Sequence, residues 1–286
     1  MGQNTWAQIR NFQTSRLNST AGTGVASVLS TESAILNPAS SAFFEGSSFS
    51  YQSYKTSLKN ENQERINNSD KFPSTNKSQG FFLNDHSGPT KGGIAYTTQD
   101  ENNFYREQFT LHGAIPTSEN SSLGFKYNYI LDDNPDRIAK GHEIYHQLTF
   151  GTTYIIDEDT ILGLVVIDPT KANPGDERVL GGFQYDIADR FTVLGDVGAQ
   201  YTKNVKKKYL WSAAVQINLF SDFFLRAGRF YDNINSIKGT GWGASWVGPR
   251  IGVEFAQKIS DSFASNNYLY KNETLTDLSL SAIIKF

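Results

Sequence analysis

The sequence predicts an all-β fold, a transmembrane antiparallel β-barrel of about 14 strands with an N-terminal hatch or plug inside the lumen. Three observations carry this expectation. From about residue 46 onward, apolar and polar side chains alternate with period two. The links between the alternating segments are short and long by turns. Aromatic residues make up 13% of the chain, with 20 Phe and 14 Tyr, whereas charged residues supply 19%, a balance unusual for a soluble helical enzyme.

The division that follows is a hatch over residues 1–45 and a barrel over residues 46–286. Within the first part, Trp6, Ile9 and Phe12 have the spacing of a short amphipathic helix, and small residues follow from Ser19 to Ser30. Strands are expected over 48–55, 79–85, 92–98, 104–115, 122–131, 143–156, 160–168, 179–187, 191–202, 208–219, 222–231, 236–246, 250–259 and 278–286. The last is the clearest. Leu278, Leu280, Ala282, Ile284 and Phe286 share one face, opposite Ser279, Ser281, Ile283 and Lys285. Asp196 falls in the middle of another strand among small and polar neighbours, a charge that a watery or plugged lumen would accept.

Tight links are expected at Pro116–Asn120, Asp157–Asp159, Ala188–Asp189, Ser221–Asp222 and Val247–Pro249. Long polar links fall at 56–78, 132–142, 169–178, 203–207 and 260–276. Outer-membrane barrels have this asymmetry, with short periplasmic turns and longer external loops. An even strand count then puts both barrel ends on the periplasmic side. The last strand is expected to pair with the first near Phe49 and Tyr51, with the hatch around Asn37 beneath.

Several function classes drop out. A net charge of −3 with dispersed Lys and Arg gives no pull toward nucleic acid. The longest apolar run, Ile161–Ile167, is far short of the ~20 residues a spanning helix needs. The absence of cysteine is compatible with passage through an oxidising compartment. No basic segment followed by an apolar stretch opens the chain, so export implies a signal peptide already removed.

At residues 21–44, AGTGVASVLSTESAILNPASSAFF resembles the N-terminal hatch of the FadL-like family, outer-membrane channels for long-chain fatty acids and other hydrophobic compounds. The Asn37, Pro38, Ala39 motif, the small-residue stretch Ala21–Ala26 and the Glu32, Ser33, Ala34 segment carry the resemblance. It implies a bacterial outer-membrane location, a barrel of about 14 strands with the hatch inside, and gating at Asn37, Pro38 and Ala39. The chain departs from the family in its short external links, which leave less material for a capture groove. Physically, Pro38 fixes φ and removes a donor, while the Ala and Ser around it allow close packing against a wall.

Other constellations give way to plainer readings. His142, Glu143, Ile144, Tyr145, His146 matches the H-E-x-x-H zinc motif letter for letter. That motif requires a helix, whereas this stretch opens a strand, where positions four apart stand ~13 Å from one another. No G-x-S-x-G elbow occurs, and His86 and His112 have no readable partners, so no catalytic residue, metal or cofactor is assigned. Lys206, Lys207 and Lys208 read as a solvated external link able to meet lipopolysaccharide phosphates. Asp157, Glu158 and Asp159 read as a solvated turn. Trp242, Trp246, Tyr209 and Trp211 suit interfacial aromatic girdles.

Three functions fit this architecture: passage or binding of a hydrophobic small molecule or lipid through a plugged barrel, a structural homo-oligomer that associates with or encloses lipid, and a plugged diffusion porin. Trp6, Ile9, Phe12, Phe263, Tyr268, Leu269 and Tyr270 are the candidates for lipid or subunit contact. The expected partners are outer-membrane lipids and, through the strand ending at Phe286, the barrel assembly machinery.

Overall fold

The computed structural model describes residues 11–28, 30–44, 46–60, 75–85, 87–88, 90–101, 104–133, 143–173, 175–188, 190–203, 205, 208–220, 222–263 and 273–286. Its strands, in chain order, are β1 Ser47–Asn60, β2 Thr75–Asp85, β3 Lys91–Glu101, β4 Phe104–Ser118, β5 Ser121–Asp133, β6 Glu143–Ile155 and β7 Thr160–Ile167. They continue with β8 Arg178–Ile187, β9 Phe191–Ala199, β10 Tyr209–Phe220, β11 Phe223–Asp232, β12 Ile237–Val247, β13 Ile251–Ser262 and β14 Glu273–Lys285. Each pairs antiparallel with its sequence neighbours, and β1 pairs with β14, so the sheet closes into a barrel.

The closing seam has the expected register. Phe49 stands opposite Ile284 and Tyr51 opposite Ala282. Beyond the strand end, the amides of Ser47 and Phe286 each donate to the other's carbonyl at 3.0 Å. Closure leaves no unpaired edge, which is the condition for a sheet to lie in lipid.

Side-chain alternation sorts the two faces, with the apolar face turned outward. Leu278, Leu280 and Ile284 are 46%, 55% and 50% exposed, while Asp277, Ser279 and Ser281 between them are buried toward the lumen. Tyr209, Trp211, Trp242 and Trp246 also face outward. A soluble barrel would invert this arrangement, because water rather than lipid would meet the outer face. No helix among the described residues is long and apolar enough to cross a membrane.

Strand lengths differ from expectation mainly on one side, although at a short turn β4 also runs three residues past Ile115 to Ser118. β1 runs on to Asn60, β2 begins at Thr75, β13 reaches Ser262 and β14 begins at Glu273. All four extensions are at the long-link end. There the outward residues are polar, as at Lys55, Ser57 and Lys77, so the in-out contrast fades while the backbone ladder continues. The other short-turn ends match closely: the amide of Asp159 donates to the Asp157 carboxylate at 3.1 Å in the β6–β7 turn, and Ala188 adopts a φ of 51° after β8.

The N-terminal segment runs inside the barrel. It forms helix α1 (Ser15–Ser19), helix α2 (Ser30–Ile35) and a 3-10 turn over Pro38–Phe43. Thr14, Ala34, Ala39 and Ser41 are wholly buried. The helical spacing read at Trp6, Ile9 and Phe12 falls largely outside the described residues, and the first described helix starts at Ser15.

Candidate functional site

The site is the contact between this N-terminal segment and the lumen wall. Thr14 caps α1 by accepting the Leu17 amide at 3.1 Å, and its hydroxyl donates to Glu32 at 2.9 Å, which ties α1 to α2. The Ser15 amide donates to Gln52 on β1 at 3.0 Å, and Lys258 on β13 donates to Gln13 at 2.7 Å. α1 stops at a turn through Ala21 and Gly22, both at positive φ, where the Gly22 amide donates back to the Leu17 carbonyl at 2.6 Å.

Asp196 then meets the chain. Its carboxylate accepts the backbone amides of Gly24 at 2.7 Å and Val25 at 3.1 Å. The two amides form a small nest that an inward-pointing carboxylate fills.

Asn37 holds the next contact. Its side-chain oxygen accepts the Ala39 amide at 3.1 Å, capping the turn that Pro38 opens. Its side-chain nitrogen donates to the Val25 carbonyl at 2.8 Å and to the Thr153 hydroxyl on β6 at 3.0 Å. One amide therefore joins two parts of the segment to the wall. Around it Ser122 donates to the Ala39 carbonyl at 2.8 Å, Lys126 to the Ile35 carbonyl at 2.6 Å and Lys91 to the Phe44 carbonyl at 2.5 Å. Ser41, His112 and Asn84 form a chain at 3.3 Å and 3.1 Å.

Where these bonds form, the wall carries glycine. A Cβ at Gly124 would overlap the Ala39 backbone, one at Gly151 the Asn37 side chain, and one at Gly163 the Val25 carbonyl. On the opposite wall, Gly228 and Gly241 lie against Thr20 and Asn18 in the same way. Gly124 pairs with Gly151, Gly163 with Gly182, Gly182 with Asp196, and Gly228 with Gly241. The result is a seat in which backbone packs directly on backbone. Sequence reading missed it, although lumen-phase glycines on successive strands were the available signal.

Most of the remaining lumen wall is polar, including Gln52, Thr110, Asn128 and the Arg226–Glu254 pair, which stand 3.4 Å apart. Among the described residues, two apolar clusters interrupt it. Phe12 packs with Tyr54, Phe82, Ala34 and Ala95, its ring 5.3 Å from that of Tyr54 and 6.0 Å from that of Phe82. Val25 packs with Val165 and Leu180, joined by Leu36, Ile167 and Leu210.

The β7–β8 link folds beside this second cluster with its acids buried. The Asp168 carboxylate accepts the Ala172 and Asn173 amides, each at 2.8 Å. Asp176 accepts from Asn173 at 2.8 Å and from Gln147 at 3.1 Å, and Glu177 accepts from Gln200 at 3.0 Å and Thr202 at 2.5 Å. Burial pushes the Glu177 carboxyl up, but hydrogen bonds from Thr202, its own amide, Gly175 and Gln200 outweigh that and hold it below the usual glutamate range.

The contact residues expected from sequence divide. Asn37, Pro38 and Ala39 come together at the wall. Phe12 requires a correction: it is 3% exposed inside the barrel, where Gly80 leaves room for its ring, and it cannot touch lipid or a neighbouring subunit. Phe263 lies at the outer rim, stacked on Tyr231 at 5.0 Å. Trp6, Ile9, Tyr268, Leu269 and Tyr270 lie outside the described residues, as does His142. Glu143 opens β6, and His146 faces outward with Nδ1 2.7 Å from the Tyr127 hydroxyl, so this stretch is a strand and not a metal-binding helix. Lys208 donates to the Ile234 carbonyl at 2.7 Å, while Lys206 and Lys207 lie outside the described residues.

No family model matches the chain, and no curated protein matches it. Solved structures do. The toluene transporter TbuX of Ralstonia pickettii superposes with a TM-score of 0.75 at 10% identity, covering 96% of this chain and 98% of that one. The monoaromatic hydrocarbon channel CymD gives 0.71 at 13% identity, with 96% and 97% covered. A FadL homologue of Pseudomonas aeruginosa gives 0.66 at 12% identity, with 97% and 99% covered. At such identities the likeness is one of fold: the chain has the fold of FadL-type channels over nearly its whole length.

Proposed function

We propose that this chain is a bacterial outer-membrane barrel that admits hydrophobic molecules past an N-terminal hatch, with Asn37, Pro38 and Ala39 as the gating element. The observation that carries the reading is the double engagement of Asn37, bonded to Val25 within the hatch and to Thr153 on the wall, in a barrel of FadL-type fold. Breaking that one amide's bonds removes both a tie between two parts of the hatch and a tie to the wall. The cluster of Val25, Leu36, Val165, Ile167, Leu180 and Leu210 is the apolar surface such a molecule would meet at the hatch.

The test is uptake of a hydrophobic probe, toluene or a long-chain fatty acid, into liposomes carrying the purified chain. Since the chain has no cysteine, Ala39→Cys with Ser122→Cys supplies a unique redox lock. Uptake is expected in the reduced form and its loss in the oxidised form. Wild-type protein that neither binds nor passes either probe would sink the reading.

A second reading is a structural barrel without transport, and the polar lumen wall favours it. Gln52, Thr110 and Asn128 offer a hydrophobic molecule no continuous apolar path. On that reading the locked and unlocked forms behave alike, and purified protein carries lipid in stoichiometric amounts. The third reading, a plugged diffusion porin, requires steady ion conductance by the wild-type chain.

A further inference from the structure

We propose that Arg229 binds the phosphate of an outer-leaflet lipid on the outer wall formed by β10, β11 and β12. The inference rests on the barrel lying in an outer membrane, not on transport.

Arg229 belongs to the outward face of β11, in phase with Phe223, Leu225, Ala227 and Tyr231, and it is exposed. From Phe223 to Arg229 the strand rises about 20 Å along its length, or roughly 15 Å in height at the usual barrel tilt, in an apolar band about 25 Å tall. The guanidinium therefore leaves the wall in the outer half of the band, within reach of headgroups by its own stem.

Its neighbours leave it a notch. Arg229 stands opposite Ala213 on β10 and Thr240 on β12, both small, and beyond Ala213 the Phe183 ring lies over Gly195 and bounds the notch on that side. The row above is aromatic: Trp211 stands opposite Tyr231, whose ring lies 5.9 Å from that of Tyr209 and 5.0 Å from that of Phe263. Rings of this kind mark the headgroup level.

Charge completes the case. Among the described residues, no hydrogen bond or ion pair holds the Arg229 guanidinium. Lys238, beside Tyr231 on β12, stands opposite Asp261 on β13, so its charge has an acid across the ladder. Arg229 has none. An uncompensated guanidinium on a lipid-facing wall calls for an anion from the lipid itself. Its planar fork matches two phosphate oxygens, and the notch admits them. Lipopolysaccharide and a phospholipid both supply that group.

The test embeds the full chain in nanodiscs of a neutral, phosphate-free glycolipid doped with lipopolysaccharide, dephosphorylated lipopolysaccharide or phosphatidylglycerol, with retained lipid read by native mass spectrometry. Wild-type protein is expected to retain phosphorylated lipid. Retention should fall at least tenfold in Arg229→Gln and partly recover in Arg229→Lys. Thr240→Trp, which fills the notch and leaves the charge, should lose retention too, and it serves if the arginine variants fail to fold. Comparing the lipopolysaccharide and phosphatidylglycerol arms identifies the source. Equal retention by wild type and Arg229→Gln, or equal retention of the dephosphorylated lipid, overturns the proposal. So does a change of oligomeric mass in Arg229→Gln with lipid retention intact. A heat-dependent shift on gels verifies a folded barrel in every arm, so failure of the barrel is separable from failure of the site.

Discussion

The carboxylate of Asp196, in the middle of β9, accepts the backbone amide of Gly24 at 2.7 Å and so fastens the N-terminal segment to the wall 172 positions along the chain. This bond, with its companion to Val25, acts on peptide groups alone. Its strength is thus independent of the side chains that the segment carries there.

Removing that acceptor should loosen the segment without opening the barrel. Asp196→Ala leaves two buried amides unpaired, at roughly 1–3 kcal/mol for each. Faster hydrogen exchange at Gly24 and Val25, with the β1–β14 seam still protected, is the expected result. Unchanged exchange at those two amides would show that the carboxylate contributes nothing.

The glycine seat makes a steric prediction. Gly151→Val places methyl groups where the Asn37 side chain lies, and Gly124→Val does the same against Ala39. Either should displace the Pro38–Phe43 turn and raise ion conductance in planar bilayers. Gly181→Ala supplies the control, since nothing lies within 4 Å of the added carbon. If all three variants conduct alike, the seat does not position the segment.

Phe12 anchors the start of the described segment between Tyr54 and Phe82. Truncation to alanine should cost about 3–5 kcal/mol of docking, as for a buried phenylalanine elsewhere. Limited proteolysis after Phe12→Ala is expected to release the N-terminal residues while β1–β14 resist. Equal protease resistance in variant and wild type would count against a packing role.

Acid should open the β7–β8 link. The Glu177 carboxyl titrates below its unfolded value because four hydrogen bonds stabilise its charged form against the penalty of burial. A depressed carboxyl contributes stability that is fully present above the unfolded pKa of about 4.3 and is lost as pH falls through the folded value. Hydrogen exchange over residues 168–177 should therefore rise on acidification below about pH 4. Glu177→Gln should weaken that protection at neutral pH and flatten the acid response. An acid response identical in wild type and Glu177→Gln would assign it to another group.

Much of the architecture was legible because lipid and lumen impose opposite chemistry on adjacent residues. Leu278, Leu280 and Ile284 against Ser279 and Ser281 identified the last strand and its two faces from alternation alone. The same reasoning located all fourteen strands. It faltered at the long-link ends, where polar residues such as Thr56, Ser57, Asn76 and Lys77 follow one another and the in-out contrast is lost while the backbone ladder continues. The Asn37 motif was also visible, since Asn-Pro is a local turn signal.

What the sequence by itself determined, then, is the strand number, the two-faced alternation along the strands and an N-terminal segment that lacks this alternation, all properties carried by local period and composition. Only the tertiary structure decided how that segment is held. Asp196 reads as a lone acid until closure brings Gly24 and Val25 to it, and Phe12 reads as a surface anchor until Gly80 is seen to leave its ring a place inside. Gly124 and Gly151 read as gaps in strands until Ala39 and Asn37 occupy them. These contacts join residues far apart in the chain, many through backbone groups that every residue possesses, so no pattern of side chains could announce them.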